Sequence, residues 1–256
     1  SSDLITGTLT NTGDTLLLDD TTGSLNLAGG NIVGGVIDNA PASASKLNIT
    51  ADSTLSGGVT LASNLSVGSA SSNVGLAISA GLTLDHAAGE ALTAFNGDNG
   101  FTTTNALTFN TGTLGGTGTV LLTPGSNMVL RMLVNGNQTL TVGSGVTIKT
   151  NSVATNAQTG ITSSGNGTLI NQGTISAEST GRTLTINPTN FTNTGTVAVK
   201  NGAILTLGGA WDNSAGTFSL DANANSHILL ANKEALVFAV DPDKPRADGL
   251  FRRAGC

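Results

Sequence analysis

Short runs along this chain alternate aliphatic with small polar residues, and many of the runs stop at glycine. Leu25-Asn-Leu27-Ala is followed by Gly29 and Gly30, Leu140-Thr-Val142 by Gly143, and Leu205-Thr-Leu207 by Gly208 and Gly209. Such alternation sets Leu, Ile and Val on one side of an extended strand and Thr, Ser and Asn on the other. Threonine suits the outer side, because a β-branched side chain favours extended backbone. The glycines between runs are expected to supply positive-φ corners, which asparagine also tolerates. No stretch shows convincing helical periodicity. Residues 226–240 come nearest, and they read equally well as a pair of buried strands.

The runs sit inside a longer repeat. Residues 9–16 (Leu-Thr-Asn-Thr-Gly-Asp-Thr-Leu), 169–175 (Leu-Ile-Asn-Gln-Gly-Thr-Ile), 191–197 (Phe-Thr-Asn-Thr-Gly-Thr-Val) and 211–218 (Trp-Asp-Asn-Ser-Ala-Gly-Thr-Phe) share one order. Each runs apolar, any, Asn, then Gly, Thr and an apolar residue, with Asp14 standing between Gly13 and Thr15 in the first. Gly173 to Gly195 is a step of 22 residues, and Gly195 to Gly216 a step of 21. Where both halves are clear, an aliphatic run follows the Asn at a nearly constant offset: Asn11 to Leu25 is 14 residues, Asn171 to Leu184 is 13 and Asn193 to Leu205 is 12. A fixed period in this range marks a stacked-repeat architecture in which each repeat is one rung.

A flat sheet of such strands would leave two edges and a bare apolar face. Coiling the chain removes both faults, since each rung pairs with those above and below and the apolar side turns inward. The expected fold is therefore all-β, a single-stranded right-handed parallel β-helix with rungs of roughly 20–22 residues over residues 1–240. About a dozen rungs at ~4.8 Å spacing would make a rod on the order of 50 Å long. Asn11, Asn171, Asn193 and Asn213 are expected to stack at one corner as an amide ladder. Two stretches, 87–104 and 150–167, are rich in Gly, Ala, Ser and Asn and read as loops bulging from the stack. Residues 241–256 break the style, with four of the chain's ten Lys and Arg and two of its five Pro, and read as a charged tail or linker. The cap is expected within about 220–240.

Composition agrees with thin aliphatic layers. The 256 residues include 35 Gly and no Tyr, with 38% hydrophobic, 3% aromatic and 10% charged. Mean hydropathy is +0.14, so a core can form, unlike in a disordered chain of low hydropathy and high charge. The net charge of −6 carries no basic stripe, which excludes the electrostatic footprint of a nucleic-acid binder. No apolar run approaches the ~20 residues of a spanning helix. The single Cys, Cys256, excludes an internal disulfide. The chain starts Ser1-Ser2, as a mature product or a fragment would.

Three phrases carry a resemblance: Gly-Thr-Leu-Gly-Gly-Thr-Gly-Thr-Val at 112–120, Phe-Thr-Asn-Thr-Gly-Thr-Val at 191–197, and Leu-Thr-Leu-Gly-Gly-Ala-Trp-Asp-Asn-Ser-Ala-Gly-Thr at 205–217. They resemble autotransporter passengers, filamentous-haemagglutinin-like exoproteins and related repeat-rich bacterial surface proteins. The resemblance covers most of 1–225 in style and about 110–220 in motif. It implies a right-handed parallel β-helix exported to the bacterial cell surface or released from it, with adhesive or matrix roles. The absence of a recognisable barrel or secretion domain leads us to expect a fragment.

Residues suited to catalysis or metal binding are sparse. His86 lies in Leu84-Asp85-His86-Ala-Ala-Gly-Glu90, and His227 follows Ser226. No Gly-x-Ser-x-Gly elbow accompanies either. Asp85, His86 and Glu90 could be drawn as a metal site, but read more simply as a solvated corner. Asp19 and Asp20 are the only adjacent acidic pair in the rod, and neighbours on a strand face opposite ways. Gly115-Gly116-Thr-Gly118 matches the glycines of a calcium nonapeptide, but Val120 stands where Asp is required. The five Asn-x-Ser/Thr sites (Asn48, Asn64, Asn137, Asn166, Asn190) are no more than this composition produces by chance.

No residue is nominated as catalytic, cofactor-binding or metal-binding. The expectation is a non-enzymatic structural or adhesive stalk of an exported bacterial protein, extracellular, with a host or environmental surface or glycan as partner. End-to-end self-association is a further use of open rod ends. The alternatives are a polysaccharide-binding or polysaccharide-degrading β-helix, which needs carboxylates gathered on one face, and an ice-binding solenoid. The last needs Thr-x-Thr repeated at one rung position.

Overall fold

The computed structural model describes residues 3–40, 43–68, 73–95, 103–151 and 154–231 and, of residues 87–90 and 95, the backbone alone. The described residues form strands without helices, and the pairings between strands are parallel. The chain is a β-solenoid: three strands make one turn, and a strand pairs with its counterpart in the next turn. Asp3–Ile5 opens the first face, Thr8–Thr10 the second and Thr15–Leu18 the third. One turn on, Leu25–Ala28, Asn31–Val33 and Val36–Asn39 lie in parallel against them. Ten strands stack on the first face, a length of about 45 Å at ~4.8 Å per turn.

In-register stacking turns alternation into columns. On the first face Leu25, Leu47, Leu65, Leu92, Val120, Ile148, Ile175 and Val197 succeed one another, all buried. The second face sends in Leu107, Met132, Ile161, Ile186 and Leu207. The third sends in Leu82, Leu114 and Val142. Side chains meet copies of their own kind one turn away, which is how a chain with 3% aromatic residues fills its interior. Phe109 is buried midway along the rod, and three further rings gather near the end of the described stack. Trp211 lies over Phe191 and meets Phe218 edge-to-face, with ring centroids 6.1 Å apart.

The rung length is not uniform. Leu25 to Leu47 and Ile175 to Val197 are steps of 22 residues, but Leu92 to Val120 and Val120 to Ile148 are steps of 28. The additional residues enter corners and bulges while the register of the faces persists. Between Asp85 and Glu90 one strand spends five steps where its neighbour spends two, Thr117 to Thr119.

Both stretches expected to bulge as loops contain strand. Residues 87–95 complete Leu82–Phe95 and residues 103–104 open Thr103–Thr123, while 96–102 lie outside the described residues. Gln158–Ser163 is a second-face strand between Val129–Val134 and Thr183–Asn187. Only Ile161 among its inward positions is aliphatic, so the alternation that marks other strands is hidden. The proposed cap at 220–240 is described to residue 231 and contributes the strand His227–Leu230, stacked on Ile204–Leu207. The tail 241–256, with Cys256, lies outside the described residues.

Glycine has two jobs at the repeated corners. Gly13 takes φ +84° with open space around it, the role expected from sequence. Gly173, Gly195 and Gly216 are not among the positive-φ residues. A Cβ at Gly195 would come closer than 3.0 Å to the backbone of Gln172 and Gly173 in the turn below, and one at Gly173 would meet the carbonyls of Gly143 and Val146. Here glycine is required by the close approach of one turn to the next. Gly195→Ala therefore pushes two turns apart and should cost more than Gly13→Ala, which pays only the left-handed penalty of about 1–2 kcal/mol. Equal shifts of the urea midpoint for the two variants would refute this.

Candidate functional site

The Asn motif resolves into a ladder of three. Asn171, Asn193 and Asn213 lie at the corner between third and first faces. Asn171 Nδ2 donates to Asn193 Oδ1 (2.7 Å), and Asn193 Nδ2 donates to Asn213 Oδ1. The same amides reach backbone carbonyls, Asn171 to Thr196 O at 3.1 Å and Asn193 to Gly195 O at 3.3 Å. Both side chains are fully buried, at 0% and 1% exposure. The ladder ends downward because Val142 occupies the register position below Asn171, and Asn171 Oδ1 is left without a donor.

Asn11, expected in the same ladder, belongs to another corner. It follows the second-face strand Thr8–Thr10, and its amide donates to Val36 O at 3.0 Å in the next turn. It closes a similar turn, but Gly34 and Gly35 stand above it, so no amide stacks there. The sequence phrase is shared because each corner must satisfy buried carbonyls.

The residues considered for chemistry remain dispersed. Asp19 Oδ1 accepts from Thr21 N and Thr22 N, while Asp20 Oδ1 accepts from the Ser43 hydroxyl at 2.8 Å. Asp85 is exposed beside the bulge and His86 half-buried, and the side chain of Glu90 lies outside the described residues. His227 Nδ1 lies 2.8 Å from Asn225 O and its strand position stacks on Ile204. Among the described residues no three His, Cys, Asp or Glu side chains gather as a metal site would need. Glu178 pairs with Lys200 at 3.1 Å on the surface.

One regular array escaped the sequence reading. Thr119, Thr147, Thr174, Thr196 and Thr217 occupy one outward position on five consecutive first-face strands. Their spacing in sequence varies from 21 to 28, so no single period reveals them. Two residues on, the parallel column reads Leu121, Lys149, Ser176, Ala198 and Ser219. The face is a single threonine row beside a mixed one, not the double row of an ice-matching surface.

Among the described residues, a recess that combines shape with an unusual side chain lies at the corner between first and second faces. It is a cleft of about 370 Å³ whose lining includes Asn127, Asn156, Gln158, Gly181, Arg182 and Thr183. Registers place Arg182 in a column with Met128, Ala157 and Ala203, each buried. A guanidinium thus occupies a position that neighbouring turns give to apolar side chains. Its Nε is buried without a hydrogen-bond partner. In sequence Arg182 is an isolated cation, and its oddity shows only once turns are in register.

No family model, curated protein or solved structure matches this chain.

Two consequences of this geometry are measurable. Asn193→Ala removes a donor from Asn213 and an acceptor from Asn171 within a buried ladder, and should cost about 1–3 kcal/mol in urea denaturation. A cost near zero would show that the ladder adds no stability. The second consequence concerns acid. The Ser226 hydroxyl holds Asp221 below the usual carboxylate range against partial desolvation, helped by the N–H groups of Asn201 and Asn223 and by the Lys200 charge. Asp19 and Asp212 are lowered by N–H and hydroxyl groups of Thr22 and Ser214. Depressed folded values mean this stabilisation is complete above the unfolded value of about 3.9 and is lost as pH falls through the folded values. Melting temperature should fall with acidification below about pH 4, and Asp221→Asn should flatten that fall.

Proposed function

We propose that this chain is a non-enzymatic structural or adhesive stalk region of an exported bacterial surface or matrix protein. The observation that carries the reading is the continuity of the interior columns. The first-face column from Leu25 to Val197 is aliphatic at every described turn. Each turn is bound to the next by backbone hydrogen bonds on three faces, so displacing one turn breaks many contacts together. The additional residues of the middle turns go into corners and leave the stack unbroken. The extracellular setting rests on the resemblance of residues 112–120, 191–197 and 205–217 to exported β-helix proteins. Low charge and an amide- and hydroxyl-rich exterior are compatible with it.

Pulling a single molecule by its ends tests the reading. A stalk should hold its length and then fail in steps, each releasing one turn of about 21 to 28 residues, or roughly 70–100 Å of chain. Smooth extension at low force would overturn it. Shortening of a polysaccharide on incubation with the chain would instead establish the enzymatic alternative.

A further inference from the structure

We propose that the Arg182 cleft is a binding site for the carboxylate of an acidic saccharide, a uronic-acid unit, on the side of the rod. This goes beyond the stalk reading and does not depend on it. The argument begins with the corner itself. Asn127 and Asn156 hold left-handed conformations at stacked positions, φ +56° and +52°, and Asn156 Nδ2 donates to Asn127 Oδ1 at 3.0 Å. At the next turn the same position is Gly181, also left-handed at φ +64°, and a Cβ there would meet nothing within 4 Å. The amide stack stops where a third carboxamide would have continued it, and the cleft opens at that point.

Arg182 follows immediately. Its backbone is fixed on both sides, with its N–H donating to Ser179 O at 3.0 Å and its carbonyl accepting from Ile204 N at 2.9 Å. Alanine lies above and below it in the corner column, Ala157 and Ala203, which leaves room for a long side chain to lie along the cleft wall. Arg182 lines the cleft, and the planar fork of N–H donors of a guanidinium is matched best by a two-pronged bond to a carboxylate. The net charge of the chain is −6, yet none of the side chains lining this cleft is acidic. An incoming carboxylate meets no rival at the guanidinium.

The remaining lining selects the rest of the ligand. Asn127, Asn156 and Gln158 offer carboxamides and Thr183 a hydroxyl, groups that both donate and accept. A sugar ring presents hydroxyls of the same dual character. The cleft has no aromatic wall, so it suits a ligand held by hydrogen bonds rather than by an apolar face. Its volume lies within the range of small-molecule sites.

Calorimetric titration of the full chain with trigalacturonate tests the assignment, beside its methyl ester, acetate and triglutamate. Trigalacturonate should bind, and its ester at least tenfold more weakly. Arg182→Gln should lose at least tenfold, Arg182→Lys should fall between, and Arg131→Gln should bind as the parent does. Gly181→Asn should abolish binding while keeping the melting temperature, because Asn tolerates this backbone and its carboxamide fills the cleft. Equal binding of acid and ester, or unchanged binding in Gly181→Asn, would overturn the site. Acetate or triglutamate binding as tightly as trigalacturonate would overturn the saccharide assignment, and absence of trigalacturonate binding would overturn the proposal itself.

Discussion

In this molecule the backbone ladder between successive turns governs everything else. Parallel pairing holds one turn against the next on three faces, and it fixes which side chains share a column. A residue's environment is then set by its counterparts one turn away more than by its neighbours in sequence. Apolar columns bury themselves, polar columns must find partners along the rod axis, and a corner must either satisfy its carbonyls or expose them. The third-face column shows the switch: Leu114 and Val142 are followed by Asn171 and Asn193. Once an amide enters the column, the next turn gains by supplying another, because an isolated buried carboxamide is costly while a chain of them satisfies itself.

The same constraint decides the corners. The approach of adjacent turns leaves no room for a Cβ at Gly173, Gly195 or Gly216, so their glycines answer to packing. Gly13 and Gly181 answer to backbone conformation. The two demands are indistinguishable in sequence, since both read as Gly after Asn or beside a polar turn. Only the position of the neighbouring turn separates them.

Much of the architecture was legible because alternation and the Asn-x-Gly phrase are local signals. Strands such as Thr183–Asn187 and Ile204–Leu207 show aliphatic residues at every second place, and the 21- and 22-residue steps from Gly173 to Gly216 coincide with true turns. Legibility failed where the signal is spread over turns of unequal length. Gln158–Ser163 presents one inward aliphatic residue and looked like loop. Asn11 shares a phrase with Asn171 but closes a different corner. The threonine row from Thr119 to Thr217 has no single period because corners absorb different numbers of residues.

Arg182 belongs to this last class, and it shows why register matters for function in a solenoid. Taken alone it is an arginine after a glycine. Set between Ala157 and Ala203 it becomes a cation in an apolar column, beside an amide stack that ends at Gly181. A stacked fold favours repetition at every position, since each turn is the template for the next. A break in repetition forfeits that gain, and two breaks at adjacent residues, one opening a cleft and one placing a charge in it, forfeit it twice. Local disagreement with an otherwise consistent pattern is where a binding role is most economically sought.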